Sequence, residues 1–204
     1  MSADGAVRNV GGAPAEAAWR RAALALLVLA PGLALAAPVT HCHAGEKAYF
    51  SCVAGKKTVS LCGDVSSGSI TKLTYRYGKP DNVELEFSAT SASGPHFMAT
   101  VEPDSPRAAI REVWFDHGDI RTLLHACQGG DCPYGGGLAV LRGERILSNA
   151  KCQRGSDSMD FFSRELIEFG DSTEHSKSHT PLLEIGDDAN PVDKLYPMPA
   201  AAFH

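Results

Sequence analysis

Short segments in which apolar and polar residues alternate dominate the middle of the chain. In "KLTYRY" the apolar positions are Leu73, Tyr75 and Tyr77, and "VELEF" (residues 83–87) repeats the pattern. Alternation with a period of two predicts antiparallel strands with one face toward a core and one toward water. The Gly, Pro and Asn residues of the intervening "GKPDN" favour a turn, so the two segments are predicted to form a hairpin.

A second hairpin is predicted in "LAVLRGERILS", where the chain reverses at Arg142-Gly143-Glu144. Further alternating segments predict strands at residues 48–53, 58–62, 96–101, 110–115 and 120–126. Strands this short, at such close and regular spacing, are typical of all-β folds. We therefore expect an antiparallel β-sandwich or a small β-barrel.

The last quarter of the chain has a different pattern. "SDSMDFFSRELIEFG" has Ser156 or Asp157 as a possible N-cap, apolar residues at helical spacing, and Gly170 as a stop, which predicts one short helix. Residues 156–204 carry 3 basic and 10 acidic side chains. After the helix we expect an irregular acidic tail, much of it extended or disordered.

The first 36 residues of this 204-residue chain have the pattern of a secretory signal peptide. Arg20-Arg21 precedes an apolar run over residues 22–30, and Ala34-Leu35-Ala36 fits a signal peptidase site. Cleavage would leave a β-domain at 37–155, a tail at 156–204 and no stable membrane anchor. The predicted location is periplasmic or secreted.

All six cysteines follow the predicted cleavage site, at Cys42, Cys52, Cys62, Cys127, Cys132 and Cys152. An even number in an exported chain predicts disulfides, with fifteen possible connectivities for six cysteines. A metal site is the alternative, at "HCH" (residues 41–43) or near His125, but the spacings do not give the paired knuckles of a zinc site. We expect no metal and no cofactor.

Charge and motifs exclude some functions. Without residues 1–36 the chain would carry 16 basic and 22 acidic side chains, which argues against a nucleic-acid partner.

"IEFGDST" resembles the nucleophile block of the GDSL lipases and esterases, which would make Ser172 a nucleophile. Only 32 residues follow Ser172, too few for that fold. We therefore predict no catalytic residue.

Four short segments occur in the order found in a known family. They are Phe50-Ser51-Cys52, Ser93-Gly94-Pro95-His96-Phe97, Trp114-Phe115-Asp116-His117-Gly118, and Ile146 to Cys152. In this the chain resembles, over about residues 48–153, the periplasmic and membrane-bound inhibitors of c-type lysozyme. That resemblance implies a small β-barrel that binds a protein and catalyses nothing.

The resemblance implies a binding site at Ser93, Gly94 and His117. Ser93 would donate a hydrogen bond to a carboxylate in the lysozyme cleft. His117 stands where the family has a lysine, and a neutral imidazole would contribute less than an ammonium. The alternative is that residues 93–95 are simply a turn.

The resemblance also implies a disulfide pairing. It pairs Cys52 with Cys152, which ties the first strand to the last. That leaves Cys127 with Cys132, and Cys42 with Cys62.

These features predict an exported, non-enzymatic binding protein of the cell envelope, in its sharper form an inhibitor of a lysozyme or another cell-wall hydrolase. Two alternatives remain open. One is a structural or assembly factor of the envelope that docks through its acidic tail. The other is a small hydrolase that uses Ser172 or His117.

Overall fold

Twelve strands and one single-turn helix form the regular structure of the described residues. The computed structural model describes residues 39–91, 93–105, 108–154, 165–168, 175–186 and 190–196. The strands are β1 (Lys47–Ala54), β2 (Lys57–Ser66), β3 (Ser69–Lys79), β4 (Asn82–Ala89), β5 (Phe97–Ser105), β6 (Ala108–His117), β7 (Ile120–Gly129), β8 (Gly136–Arg142), β9 (Arg145–Lys151), β10 (Ile167–Glu168), β11 (Lys177–Ser178) and β12 (Leu183–Ile185). The helix, α1, spans Val192–Leu195.

Strands β1 to β4 form an antiparallel sheet in chain order. The predicted hairpin between residues 72–77 and 83–87 is confirmed as β3 and β4. The prediction that the apolar residues of β4 all face the core is wrong for Val83 and Leu85, which are 38% and 45% exposed. Their strand is an edge of the sheet. Its register shifts between Tyr77 and Gly78, which displaces Val83 from the two-residue alternation that Leu85 and Phe87 still share.

The second sheet has the order β12-β5-β6-β7-β8-β9. Its consecutive strands are antiparallel, and the predicted hairpin at residues 142–144 is confirmed by the pairing of Arg142 with Arg145. Only β12 runs parallel to its neighbour β5, among the described strands. This final strand comes from the tail, so the tail completes the sheet.

The main core lies between the two sheets. It combines Leu73 and Tyr75 of the first sheet with Val113 and Leu124 of the second. Aromatic rings fill its centre, and Phe115 stacks on a ring of β4 with the centroids 4.1 Å apart. Burial of these side chains from both sheets supplies the main hydrophobic stabilisation.

Three disulfides join the described residues: Cys42 to Cys62, Cys52 to Cys152, and Cys127 to Cys132. These are the pairs that the family resemblance implied. The second one ties β1 to the end of β9, where an isolated bridge pairs Ala54 with Cys152. The prediction of an all-β, antiparallel, disulfide-stapled fold is confirmed.

The segment before β1 covers the polar outer face of the first sheet. Arg76 on β3 is 2% exposed, and its guanidinium donates to both oxygens of Glu46, at 2.5 and 2.8 Å. The Arg76 hydrogen bond holds the pKa of the Glu46 carboxyl below its usual value, against the opposing effect of burial. The Cys42–Cys62 disulfide fastens the same segment to β2.

The predicted C-terminal helix is wrong where the structure describes it. Residues 165–166 form a turn, and Ile167–Glu168 form β10, which pairs with β11. Leu166 and Ile167 are adjacent in sequence and both fully buried. This tertiary burial decides the conformation over the helical spacing. The rest of the predicted helix, and the predicted signal peptide at 1–36, lie outside the described residues.

The described segments of the tail pack against the second sheet. Leu182 and Leu183 are buried in the main core, and Leu195 and Tyr196 are buried in a second cluster outside the second sheet. Apolar side chains spaced along an otherwise polar segment anchor it to both faces of that sheet.

Candidate functional site

The predicted binding residues lie at one end of the second sheet. Met98 pairs with Trp114, so the antiparallel register brings the segment before β5 alongside the end of β6, where His117 lies. Ser93 and His117 are exposed, and Gly94 is half-buried. The Gly94 amide donates to the carbonyl of Ser91 at 3.2 Å, which closes a turn there.

Ser93, Gly94 and His117 lie between two well-packed parts of the sheet. On one side, Phe97 is buried and contacts Phe115 edge to face, with the centroids 5.8 Å apart. On the other, the turn between β6 and β7 begins at Gly118, whose φ of +62° favours glycine. Because Phe97 belongs to the core, it is not available to contact a partner.

A surface cleft of about 250 Å³ is lined in part by the two residues that flank His117 in the sequence, Asp116 and Gly118. Its lining residues are Asp116, Gly118, Asp119, Arg121, Gly143, Glu144, Asn190 and Pro191. Both side-chain oxygens of Asp116 accept hydrogen bonds from Arg121, at 2.9 and 3.1 Å. Three carboxylates and one guanidinium give the cleft an acidic balance, which suits a basic group of a partner.

A further carboxylate extends the acidic character to the Ser93 loop. Glu184 on β12 lies 3.3 Å from Nε2 of His96, and Nδ1 of His96 lies 3.3 Å from the carbonyl oxygen of Gly94. The tail strand therefore contributes a charged side chain to the same end of the sheet as the predicted binding loop.

The side chains considered as metal ligands form disulfides or hydrogen bonds with other groups of the protein. Within the described part of the chain, Cys42, Cys62 and Glu46 place ligand atoms within 4.8 Å of one another. The two sulfurs are bonded to each other, and both Glu46 oxygens accept from Arg76. His125 is fully buried, and both of its ring nitrogens have hydrogen-bond partners.

The residues of the hydrolase alternative are not brought together in the described part of the chain. Ser172 lies outside it. His117 is exposed at a strand end, with no hydroxyl or carboxylate partner among the described residues. A nucleophile-base pair needs such a hydrogen bond and a third group to orient the base.

Sequence reasoning missed a buried polar cluster on the outer face of the second sheet. Glu112, on β6, pairs in register with His125, on β7, and both are 0% exposed. One signal was present: in "AAIREVWF" both faces of the strand carry apolar residues, Ile110 and Trp114 on one and Val113 and Phe115 on the other. Apolar residues on both faces are typical of a strand covered on both sides.

Comparisons with protein-family models, curated proteins and solved structures found no match to this chain. Among the described residues, no helix has the length and apolar character needed to span a bilayer.

Proposed function

We propose that the protein is an exported, non-catalytic binding protein of the cell envelope. Its contact surface is the end of the second sheet that carries Ser93, Gly94 and His117. The sharpest candidate partner is a lysozyme or another cell-wall hydrolase. The three disulfides are in keeping with an oxidising compartment outside the cytoplasm.

The observation that carries this proposal is the juxtaposition of an exposed turn with a rigid sheet end. The turn at Ser93-Gly94 leads into the buried Phe97, and the His117 strand end follows the buried Trp114. A surface held in this way loses little side-chain and backbone entropy on binding. Donors and acceptors near it, from Ser93, His117 and the acidic cleft, would give the contact its specificity.

The acidic balance of this surface supports a basic partner protein. Asp116, Asp119, Glu144 and Glu184 outnumber the cations near them, Arg121 and Arg142. Complementary charge speeds association and selects partners more than it adds to affinity. A basic hydrolase would therefore be captured faster at low salt than at high salt.

The test is lysis of cell-wall substrate by a c-type lysozyme, with increasing amounts of the purified exported protein. We expect inhibition at micromolar protein, weakened about threefold to tenfold by Ser93→Ala because one hydrogen bond contributes about 1 kcal/mol. His117→Lys should strengthen the inhibition about tenfold, because a lysine can make a charge-assisted contact to a carboxylate in the lysozyme cleft.

Matched control variants are available. Ser69→Ala changes an exposed serine at the start of β3, and His43→Ala changes an exposed histidine in the segment that covers the first sheet. Both should inhibit like the unchanged protein. Absence of inhibition at micromolar concentrations, or equal effects of the site and control variants, would reject the lysozyme proposal.

A further inference from the structure

A surface cleft of about 280 Å³ lies between the segment before β1 and the turn that joins β3 to β4. The segment lines this cleft with His41 and His43, and the turn lines it with Asp81, so we call it the histidine cleft. It shares no lining residue with the acidic cleft at Asp116 and Gly118. Two imidazoles and one carboxylate therefore line an open cleft that the proposed function does not use.

Hydrogen bonds and a disulfide fix the backbone that carries both histidines. The amide of His41 donates to Oγ of Ser60 at 2.9 Å, and the amide of His43 donates to Oε2 of Glu46 at 2.6 Å. Between the two histidines, Cys42 is tied to β2 by its disulfide. Because this backbone is already ordered, ligand binding does not have to order it, and the entropy cost of binding is lower.

The His41 ring has the orientation that is usual for a metal-binding histidine. The residue is 7% exposed, and its Nε2 lies 3.3 Å from the carbonyl oxygen of Gly78. Because that oxygen can only accept, the proton of the neutral ring is assigned to Nε2, and Nδ1 carries the lone pair. Within the described part of the chain no group donates to Nδ1. A histidine ligand typically donates its other N–H to a carbonyl or a carboxylate, as His41 does.

His43 and Asp81 have side chains that can turn into the cleft. The His43 side chain is 70% exposed, and its Nδ1 lies 3.8 Å from a Glu46 oxygen. Both oxygens of that carboxylate already accept from Arg76, so it competes weakly for the His43 ring. Asp81 is exposed in the β3–β4 turn. Both groups can therefore turn toward Nδ1 of His41 by side-chain rotation, without movement of the backbone.

The donor atoms determine which class of ion the cleft can bind. Imidazole nitrogens suit zinc, copper and nickel ions, whereas calcium and magnesium prefer sites built from oxygen atoms. Two imidazoles and one carboxylate therefore favour a divalent transition-metal ion over a hard cation.

We propose that the histidine cleft binds a divalent transition-metal ion through Nδ1 of His41, the imidazole of His43 and the carboxylate of Asp81. The expectation of no metal rested on the missing paired knuckles of a structural zinc site, and this site needs no cysteine ligand. Water would complete the coordination, as it does in open sites with three protein ligands. The site is independent of the proposed contact with a hydrolase.

The test is titration of the full-length chain, with its disulfides intact, by Cu²⁺ near neutral pH. Copper is the best probe because nitrogen sites generally bind it most tightly among the divalent first-row ions. Isothermal titration calorimetry should show one ion per chain, and the electron paramagnetic resonance spectrum should show coupling to imidazole nitrogen. Zn²⁺ should compete for the site, and Mg²⁺ should not.

Three variants remove one ligand each. His43→Ala and Asp81→Asn change exposed side chains, and His41→Gln removes Nδ1 while keeping a donor for the Gly78 carbonyl. Each should weaken Cu²⁺ binding about tenfold or more, since loss of a residue that merely orients a ligand already costs about tenfold to hundredfold. His43→Ala should also reduce the nitrogen coupling in the spectrum.

Matched control variants change the same residue types elsewhere. His179→Ala removes an exposed histidine from the tail, and Asp64→Asn removes a carboxylate from β2. Both should bind Cu²⁺ like the unchanged chain, and circular dichroism with a count of intact disulfides selects the variants that fold. Equal affinities of the site and control variants would show adventitious binding to surface side chains and overturn the proposal. Absence of a one-to-one complex with the unchanged chain would overturn it as well.

Discussion

His125 should make the stability of this protein strongly dependent on pH in the weakly acidic range. The side chain is fully buried, and burial lowers its pKa from 6.5 to about 4. The hydrogen bond to Asn149 opposes that shift but is the smaller effect. The folded state therefore binds the proton less tightly than the unfolded chain does, and acid favours unfolding.

The size and sign follow from linkage. A shift of about 2.5 pKa units corresponds to about 3 kcal/mol of unfolding free energy, because one unit is worth about 1.4 kcal/mol. This stability is fully present above the unfolded pKa of 6.5, is lost progressively as the pH falls below that value, and is gone once the pH has fallen through the folded pKa of about 4. About 2 kcal/mol of it should be lost by about pH 5.

The assay is guanidinium unfolding with the disulfides intact, at about pH 7.5 and about pH 5, for the unchanged protein and for His125→Gln. The variant removes the titrating group and keeps a side chain that can hydrogen bond. It should be less stable at the higher pH, and its stability should change much less between the two. Glu46 also loses stability in acid, since its pKa is lowered by Arg76, but that loss is common to both proteins.

The neighbours of His125 make the comparison specific. Glu112 faces it across the strands, and Tyr134 and Tyr196 contact its ring. Burial raises the pKa of both tyrosines, so neither titrates in the range tested. Parallel pH dependences for the two proteins would refute the reasoning, because His125 would then not be held neutral by the fold.

Three further predictions concern stability and association. Arg76→Met should lower the unfolding free energy by about 3 kcal/mol at neutral pH, because Glu46 would keep a buried, unpaired charge; the Glu46→Gln double variant should recover part of that loss in the same unfolding assay. Replacing Cys52 and Cys152 by serine should lower the unfolding free energy by about 5 kcal/mol, against about 2 kcal/mol for replacing Cys127 and Cys132, because the first disulfide closes a much longer loop. Chemical unfolding measures both losses, and equal losses would contradict the loop-entropy argument. Leu85→Lys should reduce concentration-dependent light scattering with little change in Tm, because Leu85 is exposed on an edge strand; a large fall in Tm would show that Leu85 is part of the core.

The strands could be predicted from the sequence because their alternation is local. Residues 72–77 and 83–87 carry both the period of two and the turn chemistry between them. The tight turn between β1 and β2 likewise sets Cys52 opposite Val59, since pairing in a hairpin follows from turn length. Where one residue of a hairpin is displaced by a bulge, as between Tyr77 and Gly78, the local pattern no longer predicts which side chains are buried.

The tail could not be predicted in the same way because its conformation depends on distant residues. Leu183 pairs with Phe97, which is far away in sequence, and Tyr196 hydrogen bonds to His125. Neither contact leaves a periodic signal in a segment rich in proline and acidic residues. The same holds for Glu112 and His125, which are covered by Asn190 and Tyr196 of the tail.

The packed tail changes how a hydrolase inhibitor can be distinguished from an assembly factor. Deleting residues 171–204 would remove β12 and the buried side chains of Leu195 and Tyr196, so loss of function would not distinguish a lost contact from unfolding. The tail also brings Glu184 to within 3.3 Å of His96, beside the Ser93 turn. A tail charge and the proposed inhibitory turn therefore lie on the same surface.

Point substitutions separate the two functions where deletion does not. Glu184→Lys changes a tail charge at the shared surface, whereas Glu168→Lys changes an exposed tail charge on β10. An inhibitor that binds through the Ser93 turn should respond to the first change and not to the second. A factor that docks through the general acidity of its tail should respond to both about equally, because exposed charges act through a screened field and not through one contact.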